Sequence, residues 1–422
     1  MRATDRAFVS TSPFSCSFRE KTNAHLYSGS ILNTCSRSDR SARRTCYDAV
    51  RKTNFVGSVR VLRSTVPKHF CSAFVVIATQ TSDVAREVSA AIPELSSLLT
   101  EGSLRVIHDS NTNIKYYVIG TNHVSDTSVQ SVRKVIRTIK PECVVIELCG
   151  TRADVIFNSI HAKEPLSISL GYVYGLVFRS GIKGFIEGYL FTSYDKASAK
   201  FNIEPGAEFV AAAEEAALCD AVIILGDRHT EITNERLAQY VRDLLNVPLM
   251  VLYISIFALL WFTKFNMLVE LAVLGTLAIV PSLAYVVPWV QVHFLTQEKL
   301  FSDYQRILKG MRPRGLSRFL APVLLDERDP FLVWNMKNHP LLPPKRKEVV
   351  VVVGAAHLEG IERGFFDEVD LAPLNRFPNL AKHYQNMAHS MFAEIDKKAY
   401  ESLRKYVKSA KKGSNKKKRV SD

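Results

Sequence analysis

A chain of 422 residues is long enough to bury a full hydrophobic core, which excludes a miniature scaffold held together by disulfides or a structural metal. Hydrophobic residues make up 47% of the sequence and charged residues 23%, the balance of a globular protein rather than of a disordered one. The formal net charge of +14 and the pI near 9.4 raise the question of an anionic partner.

The excess positive charge is concentrated at the two ends of the chain. Residues 1–70 are rich in Arg, Ser and Thr and poor in acids, which is typical of an organelle transit segment or of a disordered extension. Residues 401–422 form a basic segment that we interpret as a disordered tail in contact with anionic lipid headgroups. Because neither end interleaves basic with aromatic residues, nucleic acid is not the expected partner.

The cysteine pattern argues against a disulfide framework and against a cysteine metal site. The count of seven is odd, and no CxxC spacing occurs. Cys143, Cys149 and Cys219 lie in or beside apolar runs, so we interpret them as buried and reduced.

The most apolar part of the sequence is residues 247–295, where only Lys264 and Glu270 carry a charge. A helix that crosses a bilayer needs about 20 apolar residues, and two such runs meet near Lys264. The segment therefore predicts a two-helix transmembrane hairpin. Homo-oligomerisation through this hairpin is possible. Basic residues flank it on both sides, which would place both halves of the domain in the cytosol. The alternative is a pair of buried core helices.

Around this segment the pattern is that of an α/β protein. Apolar, β-branched runs predict five strands, at residues 104–109, 114–120, 143–149, 221–228 and 348–354. The first two surround a turn-rich linker and predict a β-hairpin, and helical spacing follows between the second and third. We expect a central, mostly parallel sheet with flanking helices, built from residues 100–246 and 296–400. Residues 160–194 are predicted to be helices or loops that cover a pocket.

Polar side chains lie at or just after the ends of four of the predicted strands. They are His123 after Gly120, Glu147 followed by Arg152, Asp227 with Arg228 after Gly226, and His357 after Gly354. Because the carboxyl ends of parallel strands share one edge of a sheet, where ligands bind, we expect these side chains to converge.

Two chemistries fit such a cluster. His123, His357 and Glu147 can hold a divalent ion with a water in an open position, as in hydrolysis. Alternatively, a histidine acts as general base beside a carboxylate while Arg152 and Arg228 clamp an anionic group. The plainer interpretation is that each histidine is a hydrogen-bonded structural residue and that Asp227 and Arg228 form an ordinary ion pair.

At these residues the sequence resembles the TraB/PrgY family, which is related to the TIKI and GumN groups. The matching segments are YYVIGTNHVSDTSVQSVRKVIRTIKPECVVIELCGTR, PGAEFVAAAEEAALCDAVIILGDRHTEIT, LLDERDPFLVWNMK and VVVVVGAAHLEGI. The resemblance implies one GxxH at each end of the domain and a glutamate between them, carried here by His123, His357 and Glu147. It also implies a role for the ERD motif, Glu327, Arg328 and Asp329, as a catalytic part or as a salt-bridged helix start.

The resemblance also implies an expected function and location. In the TIKI branch the corresponding groups are taken as the site of a divalent-metal-dependent peptidase, so we expect Mn²⁺, Co²⁺ or Zn²⁺ and a peptide substrate. The expected location is the mitochondrial outer membrane, or another organelle membrane, with the domain facing the cytosol. The alternative function is a non-catalytic protein that binds or tethers a peptide, a lipid or an organelle-surface protein.

Overall fold

The computed structural model describes residues 83–123, 125–162, 168–202, 204, 206–263, 266–378 and 380–421. The predicted transit-like segment, residues 1–70, lies outside them. The strands are β1 Leu104–Asp109, β2 Ile114–Thr121, β3 Cys143–Ile146, β4 Val222–Leu225 and β5 Glu348–Gly354. The helices are α1 Ser96–Glu101, α2 Asp126–Ile139, α3 Gly150–Ala162, α4 Leu170–Phe201, α5 Ala207–Leu218, α6 Thr230–Thr263, α7 Asn266–His293, α8 Gln297–Leu308, α9 Leu316–Ala321, α10 Asp329–Asn338, α11 Leu358–Gly364 and α12 Lys382–Ser421.

The five strands form one sheet in the order β1-β2-β5-β3-β4. β1 and β2 are the predicted antiparallel hairpin, whereas β2, β5, β3 and β4 run parallel. The α/β part of the predicted fold is therefore confirmed. β5 comes last in the chain but lies between β2 and β3, so it brings the second GxxH segment beside the first.

Both faces of the sheet are buried. On one face Val144 and Val350 pack with residues of α2, α5 and α12, and on the other Val145 and Val351 pack with residues of α10 and α11. A strand that is covered on both faces has no side exposed to solvent, so its sequence is apolar at every position instead of alternating with polar residues. This explains the uninterrupted runs CVVI and EVVVVVG.

The predicted transmembrane hairpin is wrong. Residues 247–295 fall mainly in α6 and α7, and among the residues that the structure describes no helix is long and apolar enough to cross a membrane. The physical reason is that α7 packs against α4 of the same chain, where Val173 and Ala284 are buried together. Polar contacts join the two helices as well, since Tyr189 Oη donates to Gln291 Oε1 at 2.5 Å. The orientation deduced from the basic flanks loses its basis with the hairpin.

Residues 401–421, predicted to be a disordered tail, continue helix α12. Ala399, Leu403 and Tyr406 recur at helical spacing and are buried where α12 packs on α3 and α5, so this helix has an apolar face. The hydroxyl of Tyr406 also donates to Glu214 Oε1 at 2.8 Å. The first part of the predicted tail, as far as Tyr406, is therefore packed against the domain.

Helix α4 occupies most of the stretch that was predicted to consist of helices or loops. It is kinked at Gly181, where φ is 55° and ψ is −127°. Glycine fits this point because its left-handed φ strains any residue with a Cβ.

Candidate functional site

The two GxxH segments lie side by side at one edge of the sheet. β2 and β5 are neighbours and pair Thr121 with Gly354, so the residues that follow both strands leave the same edge. A Cβ on Gly120 would lie 2.9 Å from the Cα of Ala355, and a Cβ on Gly354 would lie 2.7 Å from Nε2 of His123. Each motif glycine therefore makes room for the other motif.

This close approach predicts a large difference between glycines of the same region. Gly120→Ala should destabilise the protein by about 1–3 kcal/mol, because its Cβ would overlap backbone that cannot move aside easily. Gly364→Ala is the matched control, since nothing lies within 4 Å of its added Cβ. Chemical denaturation of the two variants measures the difference. Equal stabilities would contradict the close packing of the two segments.

His357 lies in a buried site between two carboxylates. Its Nδ1 is 2.5 Å from Asp329 Oδ1, and its Nε2 is 3.2 Å from Glu147 Oε1. Only 3% of its side chain is exposed. Burial favours the neutral ring, but the charges of Glu147 and Asp329 outweigh it and raise the pKa of His357 to about 9.

His123 is held in the same way by a different acid. Its Nδ1 is 2.5 Å from Oε1 of Glu208, which projects from α5 and is buried. Its Nε2 lies over Gly354, and so does Oε2 of Glu147. Burial again lowers the pKa of His123, while Tyr194, Glu208 and Glu147 raise it to about 10.

Glu147 stands between the two histidines at the end of β3. Its Oε2 accepts the N–H of Gly354 at 2.6 Å, and its Oε1 accepts from Nη2 of Arg328 at 2.5 Å. Burial by itself would raise the pKa of Glu147, but the charges of His357, Arg328 and His123 hold it well below its ordinary value. The carboxylate is therefore ionised at neutral pH.

Arg328 links Glu147 to Asp227. Its Nε and Nη2 bind the two oxygens of Asp227 at 2.8 and 2.6 Å, in the bidentate geometry that suits a guanidinium. Arg152 lies 3.6 Å from Asp227 and keeps 32% of its side chain exposed. Arg152 is thus the site arginine with room to contact a ligand.

Arg228 points away from the histidines. Its Nη1 donates to Oε2 of Glu327 at 2.9 Å and to the carbonyl of Leu374 at 3.0 Å, and its side chain is fully buried. Glu327 also accepts from Arg236. The predicted clamp of Arg152 and Arg228 is therefore not assembled, because Arg228 belongs to a neighbouring ion-pair network.

The ERD motif connects three parts of the site. Glu327 binds Arg228, Arg328 binds Asp227 and Glu147, and Asp329 binds His357. Asp329 opens α10, and a Cβ on Gly360 would overlap its carboxylate. The motif is thus both a helix start and a support of the candidate catalytic residues.

Glu208 was not among the residues predicted from the sequence, and Asp329 was named only as a member of the ERD motif, not as a partner of His357. Each acid is far along the chain from its histidine, at separations of 85 and 28 residues. One signal existed for Glu208, which is in helical phase with the buried Ala211 and Ala212 and with Glu215. A charged residue on a buried helix face needs a partner.

The donor types fit a divalent transition metal. Imidazole and carboxylate are ordinary ligands of Zn²⁺, Mn²⁺ and Co²⁺, and histidine ligands commonly donate their second N–H to a carboxylate, as His123 and His357 can do to Glu208 and Asp329. The described residues nevertheless contain no group of three or more His, Cys, Asp or Glu side chains arranged to hold an ion. In this arrangement the two oxygens of Glu147 are taken by Arg328 and by the N–H of Gly354.

Comparison with known proteins gives related chains but no match to a family model. An uncharacterized protein of Methanocaldococcus jannaschii is 29% identical over 247 residues, which cover 58% of this chain and 52% of that protein. The human TraB domain-containing protein is 32% identical over 126 residues, 29% of this chain and 34% of that protein. The mouse TraB domain-containing protein is 25% identical over 287 residues, 63% of this chain and 66% of that protein. The matches thus span between a third and two thirds of these relatives, and the two that are named as TraB domain-containing proteins support an assignment to the TraB family.

Proposed function

We propose that this TraB-family chain is a divalent-metal-dependent hydrolase that acts on peptides, with His123, Glu147 and His357 as the metal ligands. One observation carries the proposal. Both histidines have Nδ1 anchored by a buried carboxylate, so Nε2 of His357 lies beside Glu147, while Nε2 of His123 lies over Gly354, as does the second oxygen of Glu147. The peptide class of substrate comes from the resemblance to the TIKI branch.

In the proposed site each of the chain's residues has a separate role. A bound ion supplies a water of lowered pKa. Glu208 and Asp329 fix the orientation of the two rings, and Arg328 fixes that of Glu147. Arg152 offers its partly exposed guanidinium to the negative charge that develops when a carbonyl is attacked. To hold an ion, Glu147 would have to give up its hydrogen bond with Arg328.

The proposal predicts that metal affinity rises with pH. The pKa of His357 is about 9 and that of His123 about 10, so both rings of the metal-free protein carry a proton at pH 7 that the ion must displace. Because both pKa values are raised, the competition weakens as pH increases, and the logarithm of the affinity should gain up to about 2 per pH unit until the histidines are deprotonated.

Calorimetric titration of the full chain with Zn²⁺ in buffers of different ionisation enthalpy measures this proton release. About two protons per ion are expected near pH 7. Binding of an ion without release of protons would place it away from the two histidines.

A second candidate is a non-catalytic binding protein, in keeping with the predicted tethering role. The observation in its favour is that Arg328 and Gly354 already satisfy both oxygens of Glu147. Stoichiometric metal binding that depends on His123 and His357 favours the hydrolase, and its absence favours the binding protein. The predicted location at an organelle membrane and the predicted lipid contact stay predictions.

A further inference from the structure

A cavity lies next to the candidate catalytic residues. Its volume is about 570 Å³, within the range of roughly 300–1,000 Å³ found for small-molecule sites. The ends of β3 and β4, helices α10 and α12, and residues 369–375 form its wall. Asp227 belongs to this wall, whereas His123, Glu147 and His357 do not.

Asp396 of α12 gives the cavity an anionic wall. Its side chain is 40% exposed, and Oδ2 lies 3.3 Å from Nε2 of His229. The ring of His229 stacks on Phe392 at 4.0 Å, and its Nδ1 is buried without a hydrogen-bond partner. Nε2 of the ring therefore faces Asp396, whose carboxylate accepts the hydrogen bond. Asp370 adds a second exposed carboxylate to the wall.

Neither Arg228 nor His339 of the wall neutralises this charge. Arg228 is the lining arginine, and its guanidinium is turned to Glu327 and to the carbonyl of Leu374, with a side chain that is fully buried. Burial lowers the pKa of His339 despite the opposing charge of Asp396, so this ring is neutral at pH 7. The cavity therefore offers negative charge to a ligand.

Aromatic side chains stand around the carboxylates. Trp334 of α10 is 42% exposed, and the ring of Tyr400 lines the opposite helix, α12. The face of a tryptophan attracts cations, and an adjacent carboxylate adds an ion pair. From this combination we propose that the cavity binds a small organic cation, whose ammonium or guanidinium group pairs with Asp396 and whose carbon skeleton lies against Trp334. This site does not depend on the proposed hydrolase activity.

Benzylamine and benzyl alcohol test the proposal on the purified full chain, since they share a shape and differ in charge. Calorimetric titration should show benzylamine binding with one-to-one stoichiometry, and benzyl alcohol should bind at least about tenfold more weakly. Equal affinity for the two probes, or no binding of benzylamine up to about 10 mM, would overturn the proposal.

Two substitutions locate the site. Asp396→Asn should weaken benzylamine binding by about tenfold or more, while Glu401→Gln, on an exposed position of the same helix, should leave it unchanged. Trp334→Ala should weaken the binding of both probes, because it removes contact area that does not depend on charge. Circular dichroism confirms folding of each variant. If Asp396→Asn does not fold, the proposal is still tested by the comparison of benzylamine with benzyl alcohol and by the Trp334 variant. Unchanged binding by both folded variants would refute the assignment.

Discussion

His357→Ala is expected to reduce metal affinity by at least about a hundredfold, and more than the substitution of any residue that only supports a ligand. The change removes a donor atom that lies 3.2 Å from Glu147. Asp329→Asn keeps the size of the side chain that holds Nδ1 but removes its charge, so a smaller loss, about 10–100-fold, is expected. A larger loss of affinity in His357→Ala than in Asp329→Asn would distinguish a metal ligand from a residue that only orients the ligand.

The measurement is competition for Zn²⁺ against a chromophoric chelator, with metal content determined on the same samples. His108→Ala serves as the control, because His108 lies on β1 and bonds with Asn113 in the hairpin. We expect the affinity of this variant to be that of the unmodified chain. If His357→Ala and His108→Ala bind Zn²⁺ equally well, the proposed ligand set is wrong.

The strands could be predicted from the sequence because their environment is uniform. CVVI and EVVVVVG are covered by helices on both faces, and strands that are buried on both faces have continuous runs of β-branched residues. The parallel arrangement then made convergence of His123, Glu147 and His357 predictable. The position of β5 between β2 and β3 could not be predicted, because it depends on pairing between segments that are distant in the sequence.

The error over residues 247–295 has a physical cause. A helix covered by another helix and a helix covered by lipid have the same requirement, a surface that is largely apolar, so hydropathy alone does not separate them. The partner here is α4, whose own sequence is rich in glycine and aromatic residues and has little periodicity. Nothing in the local pattern pointed to that pairing.

The acids that hold the histidines were difficult to predict for another reason. Glu208 and Asp329 reach their partners across the fold, and no fixed spacing connects them. The arginines were predicted as a class but not individually. Arg228 and Arg152 both lie a few residues beyond the end of a strand. Arg228 is buried against Glu327, whereas Arg152 lies at the site.

Arg328→Met is expected to destabilise the protein by about 3–5 kcal/mol, the range for removal of one partner from a buried ion pair. The side chains of Glu147 and Asp227 are 4% and 3% exposed, so water cannot replace the guanidinium that binds them both. Methionine retains the aliphatic length of arginine, which limits the change to charge and hydrogen bonding. Arg312→Met is the control, because its pair with Asp326 is 33% and 40% exposed and should contribute about 0–1 kcal/mol.

The pH dependence of this loss tests its electrostatic origin. In the unmodified chain Arg328 helps to hold the pKa of Glu147 well below its ordinary value, so the ionised carboxylate contributes stability above that ordinary value, and the contribution is lost as pH falls through the lowered pKa. Without Arg328 the pKa of Glu147 must rise, and the buried acid can become neutral under milder acid. Urea denaturation should therefore show the deficit of Arg328→Met shrinking as pH is lowered from about 7 to about 5. A deficit that stays constant over this range would assign the loss to packing, and Arg328 would then not control the charge of Glu147.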